Sequence, residues 1–283
     1  MIIAVSDLHL GWHDEGKEKQ DEFLKFLDRC VDGGVDHLVL CGDIFDFWRR
    51  TNCNIFSASP KCGSKTESLV RKNGEIFEKL VNISAKVHYV AGNHDYLIHR
   101  ISKESESYPL SVQKSFRLVD SRSHYYFTHG YEMDVMANME QMMTVGQYET
   151  LAERLCFLTD KTGWLASTIW KATEIMATMK DQVLKIQSSP GERGEEMDSV
   201  RLLACSAARN LLLGLGPEEN LVFGHTHVPF RQEVKPGIWV GNTGTWGEEV
   251  TDPATGKPAS NSYLKIFDGK MELHFFNSRS QDI

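Results

Sequence analysis

KVHYVAGNHD, residues 86–95, reads as a strand that ends in the polar cluster Gly92-Asn93-His94-Asp95. Two upstream segments repeat the design. IIAV (2–5) is a short buried strand ending in Ser6-Asp7-Leu8-His9, and HLVLCGD (37–43) ends in Gly42-Asp43. Helical patterns separate them. Over 18–32, Phe23, Leu24, Phe26, Leu27, Cys30 and Val31 follow the 3.6-residue period, and Gly33-Gly34 supplies the stop. Over 66–82, Leu69, Val70, Phe77, Leu80 and Val81 predict a second helix; 49–65, with Pro60 and Gly63, reads as a long loop. Strand, helix, strand, helix, strand indicates an α/β domain with a largely buried sheet. Open sheets of this kind place their sites at the C-terminal strand edge, where the polar residues gather here.

Downstream, short strands are expected near 116–119 and 124–128, the latter ending in Thr128-His129-Gly130. Residues 132–216 carry almost no strand signal. Leu151, Leu155, Leu158, Leu165 and Ile169 recur at helical spacing, as do Ala172, Met176, Met179, Val183 and Ile186. SSPGERGE (188–195) breaks the run, and a third helix is expected to carry Val200, Leu203, Ala204 and Ala207. The strand pattern resumes at NLVFGHTH and continues through GIWVGNTGTW, SYLKIFD and KMELHFF, the last three suggesting hairpins. The expected organisation is one α/β domain, 1–131 with 217–283, interrupted by an inserted helical cap, 132–216.

The 283 residues are 41% hydrophobic, enough for a sizeable core, and the formal net charge of -8 argues against broad attraction to nucleic acid. The four-residue apolar start lacks a basic flank, so it does not read as a signal peptide, and no apolar run approaches a membrane span. Six scattered cysteines without a C-x-x-C pair read as reduced thiols in a cytoplasmic protein; Cys53 and Cys62 share one loop and are the pair to watch.

Five strand ends carry metal-ligand types: Asp7-x-His9, Gly42-Asp43, Asn93-His94-Asp95, His129-Gly130 and Gly224-His225-Thr226-His227. Any one is weak. D-x-H arises by chance, and two imidazoles two apart could equally be an accident of a strand edge. Five in order, each just past an apolar run, are specific. If strand geometry extends that far, Asp7 and His9 share a face, as do His225 and His227.

The series DLH, GD, GNHD, HG and GHTH resembles the calcineurin-like metallophosphoesterase superfamily over roughly 1–131 and 217–283. The resemblance implies a β-sandwich of two mixed sheets flanked by helices, and a phosphoester hydrolase with two divalent metals. Such ions, about 3.5–4 Å apart, clamp the attacking and leaving oxygens of an in-line displacement. By this analogy Asp43 bridges the two. Asp7, His9 and His227 complete one shell, and Asn93, His129 and His225 the other. His94 is implied to face the phosphate as a non-ligand that stabilises charge and protonates the leaving oxygen, with Asp95 holding its other nitrogen. A metal-bound hydroxide is the implied nucleophile. Imidazole with carboxylate and amide oxygen makes Mn²⁺ the first expectation, with Fe or Zn next.

GDIFDFW and the helical insertion also resemble the UDP-2,3-diacylglucosamine pyrophosphatase branch. The chain departs from it at His94, where that branch has Arg, at Tyr131 after HG, and in its longer insertion. The expected substrate is therefore a small phosphorylated molecule, with an apolar tail as an option. A nuclease and a non-catalytic scaffold on the same fold are the alternatives.

Other residues carry blander readings. His13, His37, His88, His99, His124 and His274 are expected to be structural or on the surface. Asp46 and Trp48 read first as local structure, and Asn242 as a turn. Met133, Met136, Met139, Met142, Met143, Met176 and Met179 read first as helix-to-helix core, with an adaptable apolar groove over the active site, able to take an acyl or prenyl chain, as the sharper reading; membrane contact is expected to be peripheral at most. Arg154, Arg201 and Arg209 read as solvated helix faces.

Overall fold

The computed structural model describes residues 1–10, 16–47, 74–104, 110–158, 199–247 and 259–277. In chain order its elements begin with β1 (Ile2–Val5), α1 (Gly16–Asp32), β2 (His37–Cys41), α2 (Gly74–Asn82), β3 (Lys86–Val90), α3 (Tyr96–Glu104), β4 (Val112–Gln113), β5 (Ser115–Asp120) and β6 (Ser123–Thr128). Then come α4 (Tyr131–Asp134), a π-helical turn (Val135–Met139), α5 (Val145–Leu158), α6 (Ser199–Cys205) and α7 (Ala208–Leu213). The chain closes with β7 (Glu219–Phe223), β8 (Phe230–Lys235), β9 (Ile238–Asn242), β10 (Ser262–Phe267) and β11 (Lys270–Phe275).

Period-two alternation in β1 sets the layers. Ile2 and Ala4 pack with Val39, Val90, Phe127, Val222 and Leu264 between two sheets. Ile3 and Val5 face the other way, onto Phe23, Phe26 and Leu27 of α1. One sheet runs β11-β10-β1-β2-β3-β4, the other β5-β6-β7-β9-β8. Both are mixed: β1, β2, β3 and β4 pair in parallel and β10 antiparallel to β1; β6, β7 and β9 pair in parallel with antiparallel edges. On the outer face of the second sheet, Leu221, Phe223 and Val240 pack against Val200 and Ala204 of α6. The expected α/β sandwich with helices on its outer faces is therefore observed.

The glycine stop after α1 works through a left-handed C-cap. Gly34 sits at φ 67°, and Val35 N–H reaches Cys30 O at 3.1 Å, closing the last turn. Helix α3 and strands β4 and β8 were not anticipated; α3 starts at the residue after the GNHD cluster, so its short apolar pattern is masked by the motif. The expected third helix of the insertion is two helices. The Ser206 hydroxyl bonds Leu203 O at 2.8 Å and accepts Ala208 N–H at 3.2 Å, ending one helix and capping the next.

β6 and β7 are parallel neighbours. The chain between them adds no strand among the described residues. Among its described methionines Met133 is fully buried, Met136, Met139 and Met143 lean on the cores, and Met142 is exposed. Arg209 is 1% exposed, not a solvated face, and the Arg201 guanidinium lies 4.5 Å over the Phe230 ring. Among the described residues no helix is long and apolar enough to cross a membrane. Leu165, Ile169, Ala172, Met176, Met179, Val183, Ile186, Trp48, Cys53, Cys62, His13 and the first turns of the expected 66–82 helix lie outside the described residues.

Candidate metal centre

Parallel pairing aligns strand ends. β1, β2 and β3 end together in one sheet, and β6 and β7 in the other, so five loops open onto one edge. There Asp7, His9 and His227 come within ligand distance of one another, as do Asp7, Asp43 and His129. Asn93 Oδ1 lies 3.1 Å from His129 Nε2. The His225 ring centroid is 5.1 Å from that of His129. All seven expected ligand residues are thus gathered at one place.

The local backbone differs from the expected extended strand. Asp7, His9, Asp43, His225 and His227 have φ of 54, 49, 53, 69 and 59°. Strands β1 and β7 stop at Val5 and Phe223, before these residues. The pairs are brought together by alternate left-handed residues, a conformation that costs a non-glycine side chain free energy and clusters at functional sites. Cross-loop bonds hold it: Asp7 N–H to Gly42 O at 3.1 Å, His9 N–H to Asp43 O at 2.9 Å, and His225 N–H to Asp7 Oδ2 at 2.9 Å. Gly92 and Gly224 permit the approach, because a Cβ on Gly92 would stand 2.1 Å from Asp43 Oδ1, and one on Gly224 2.2 Å from Ser6 Oγ.

The cluster is buried and its charges are mutually dependent. Burial by itself would raise the Asp7 carboxyl, but His227 at 3.2 Å, with His9 and His129 nearby, holds it well below the usual range. Asp43 behaves likewise, its burial outweighed by His129 and then His94. Burial would depress His9 and His129, yet Asp46 and Asp7 push His9 up to about 10, and Asp43 does the same for His129. The carboxylates thus create a field that favours positive charge at this point, and a divalent cation uses the same field.

Two positions differ from expectation. The Asp95 carboxylate does not hold His94. It accepts Gly92 N–H at 2.7 Å, Ile44 N–H at 2.8 Å and the Tyr89 hydroxyl at 2.6 Å, bracing the β2 loop to the β3 loop. Asp46 takes the place expected of Asp95. Its Oδ2 lies 3.0 Å from His94 Nδ1 and 3.2 Å from His9 Nδ1. The sequence signal for Asp46 was its position three after Asp43 in a buried loop, which also fits a structural residue. Asp134, whose Oδ2 lies 3.1 Å from His225 Nε2, had no sequence signal. Asn242 braces the GHTH turn, with its amide donating to Gly224 O at 2.6 Å.

These residues fit a cation. The Nε2 atoms of His9 and His227 face one another at 3.2 Å, and Asp7 Oδ1, buried without a hydrogen bond, lies 3.2 Å from the second and 3.7 Å from the first. His129 gives its Nδ1 proton to Cys41 O at 2.7 Å and points Nε2 at Asp43 and Asn93, so that Nε2 is the nitrogen a cation would take on displacing its proton. Two nitrogens and an oxygen converging on one point match the donor set of a transition metal.

Residues 1–229 match the family described as Calcineurin-like phosphoesterase. No curated protein sequence matches the chain. Similar solved structures include a dimetal phosphatase from Danio rerio (14% identity, 96% of this chain and 94% of that chain covered, TM-score 0.46). Others are Yfce, a phosphoesterase from E. coli (15%, 93% and 86%, TM-score 0.39), and an archaeal phosphodiesterase (14%, 97% and 99%, TM-score 0.42).

Proposed function

The chain belongs to the calcineurin-like phosphoesterase family and is a metal-dependent phosphohydrolase; on that premise we propose a dinuclear centre that hydrolyses a phosphoester or pyrophosphate bond of a small phosphorylated molecule. The observation that carries it is the pair of ligand groups that share Asp7, one with His9 and His227 and the other with Asp43 and His129. Asp7, His9 and His227 would hold one ion. Asn93, His129 and His225 would hold the other, with Asp43 between them. Bound ions would supply Lewis acidity and activate water, and Mn²⁺ fits this donor set first, then Fe or Zn.

The chain's own residues orient and neutralise. Asp43 Oδ1 accepts the His94 N–H at 2.8 Å, fixing the His94 loop beside the metal positions. With Asp46 on Nδ1, His94 presents Nε2 to the phosphate. Burial holds His94 below its ordinary value, and Asp46 and Asp43 offset part of this. An arriving phosphate dianion adds negative charge, favours the imidazolium, and so prepares the proton for the leaving oxygen.

The second aspartate of GDIFD, Asp46, pairs with His94 at 3.0 Å, which supports a role for this motif at the phosphate and not at a lipid tail. Met133, Met136, Met139 and Met143 pack inward, which favours a compact phosphorylated substrate over an acyl chain. The free buried thiols of Cys30, Cys41 and Cys156 suit a reducing cytoplasm.

The test is turnover by Mn²⁺-loaded protein on chromogenic mono- and diesters, nucleotide diphosphates and single-stranded DNA. The expected result is hydrolysis of a small ester or pyrophosphate, with two metals per chain and both lost in Asp43→Ala. No turnover on the panel, or fewer than two metals, rejects the reading. Turnover of DNA alone supports a nuclease in its place.

A further inference from the structure

We propose that Asp134 is a positioning residue that locks His225 with its proton on Nε2, so that Nδ1 is the nitrogen offered to a metal. The inference rests on His225 being a ligand, as proposed above, and adds a role for the chain between β6 and β7.

The geometry is specific. Asp134 Oδ2 lies 3.1 Å from His225 Nε2, across 91 residues of sequence. An ionised carboxylate can only accept, so Nε2 must donate, and a neutral imidazole then has its lone pair on Nδ1. Asp134 is itself held. Its Oδ1 accepts the Asn138 amide at 2.6 Å, and Asn138 Oδ1 accepts the Ser199 hydroxyl at 2.9 Å. The bonds run without a gap from His225 through Asp134 and Asn138 to the first residue of α6.

The intervening backbone is unusual as well. Val135–Met139 forms a π-helical turn directly after Asp134, and such wide turns recur at functional sites. The same short helix, α4, starts from Gly130, the residue after His129. One four-residue helix therefore links two imidazoles assigned to the same metal. His129 and His225 would offer a metal opposite nitrogens, Nε2 and Nδ1. Cys41 O takes the Nδ1 proton of the first, and Asp134 the Nε2 proton of the second. Each imidazole gives one nitrogen to a fixed acceptor, the pattern by which outer partners orient metal-bound histidines. For His225 that acceptor comes from the segment inserted between β6 and β7.

Two readouts test the inference. Long-range ¹H–¹⁵N spectra of the metal-free protein, with His225 assigned by its absence in His225→Gln, should show the Nε2–H tautomer in the wild type and a mixture in Asp134→Ala. Calorimetric Mn²⁺ titration should show the weaker of two sites losing about 10–100-fold in affinity in Asp134→Ala, the usual cost of losing an outer partner. Asp134→Asn, whose amide oxygen still accepts the proton, should restore most of that affinity. Asn138→Ala should give a smaller loss, and it carries the test if Asp134→Ala fails to fold. A mixed tautomer in the wild type, or unchanged Mn²⁺ affinity in both Asp134→Ala and Asn138→Ala, overturns the inference. A wild type with the Nε2–H tautomer but fewer than two metals rejects the dinuclear reading and, with it, the metal role of Asp134.

Discussion

His9 Nε2 and His227 Nε2 lie 3.2 Å apart, although 218 residues separate them in the chain. Two imidazole nitrogens at that distance, both beside Asp7 Oδ1, define a single point from three directions. The point exists because β1 and β7, in different sheets, each end two residues short of the first left-handed residue that turns a side chain inward. The chemistry of the centre is a consequence of that backbone as much as of the residue types.

His94 and Asp46 are expected to act in series. His94→Ala should retain both metals and lose about 10²–10⁴ in kcat, the range for a missing acid–base group. Asp46→Asn should lose less, about 10–100-fold, and shift the acid limb of the pH profile. Steady-state kinetics with metal analysis checks both. Metal loss in His94→Ala would make it a ligand and not a proton donor.

Asp95→Asn separates bracing from catalysis. The variant loses the charge that receives Gly92 N–H, Ile44 N–H and the Tyr89 hydroxyl. Urea unfolding should report a loss of about 1–3 kcal/mol. The remaining activity should keep the wild-type shape against pH, because His94 stays paired with Asp46. A changed profile at unchanged stability would return Asp95 to the proton path.

Gly224→Ala should damage the centre without touching a ligand. The new Cβ would stand 2.2 Å from Ser6 Oγ and 2.5 Å from Asp7 Oδ2. The backbone must shift, at a cost of about 1–3 kcal/mol typical of overpacking. Thermal unfolding should fall by several degrees and metal content should drop with it. Gly146, at ordinary φ with nothing within 4 Å of a Cβ, is the control for local crowding.

Away from the centre, His88 sets a pH dependence of stability. It stacks on Phe116 with centroids 4.0 Å apart, and its Nε2 lies 2.9 Å from His37 Nδ1. Burial, then His37 and Lys86, push it down to about 4 from 6.5. Above pH 6.5 both folded and unfolded chains hold it neutral, and the stability is intact. As pH falls from 6.5 to 4 the unfolded chain takes up a proton that the folded chain refuses, so stability drops, by about 1–3 kcal/mol. His88→Phe should flatten urea midpoints across that window. A slope equal to that of the wild type would reject His88 as the source.

Much of the α/β frame was legible because strand and helix periodicities are local. IIAV and HLVLC alternate or run apolar on their own, and α1 shows its buried stripe within 17 residues. The ligand types were legible for a related reason: each stands one to four residues past a strand that can be recognised alone. Helix α3 and strand β8 were missed because a motif or a polar run covers their pattern. The strand-face argument for Asp7 with His9, and for His225 with His227, named the right pairs for the wrong backbone. The left-handed φ values depend on hydrogen bonds from loops 34 or more residues away, such as His9 N–H to Asp43 O.

By itself the amino-acid sequence determined the α/β alternation, the polar strand edge and the set of metal-ligand residue types. Only the tertiary structure decided which carboxylate serves which imidazole. Asp46 with His94, Asp95 with Ile44, and Asp134 with His225 are each set by packing between segments 48, 51 and 91 residues apart. A carboxylate offers the same two oxygens wherever it stands. Its partner is whichever donor the folded backbone brings within about 3 Å, and that distance is a property of the assembled sheets, not of any local stretch.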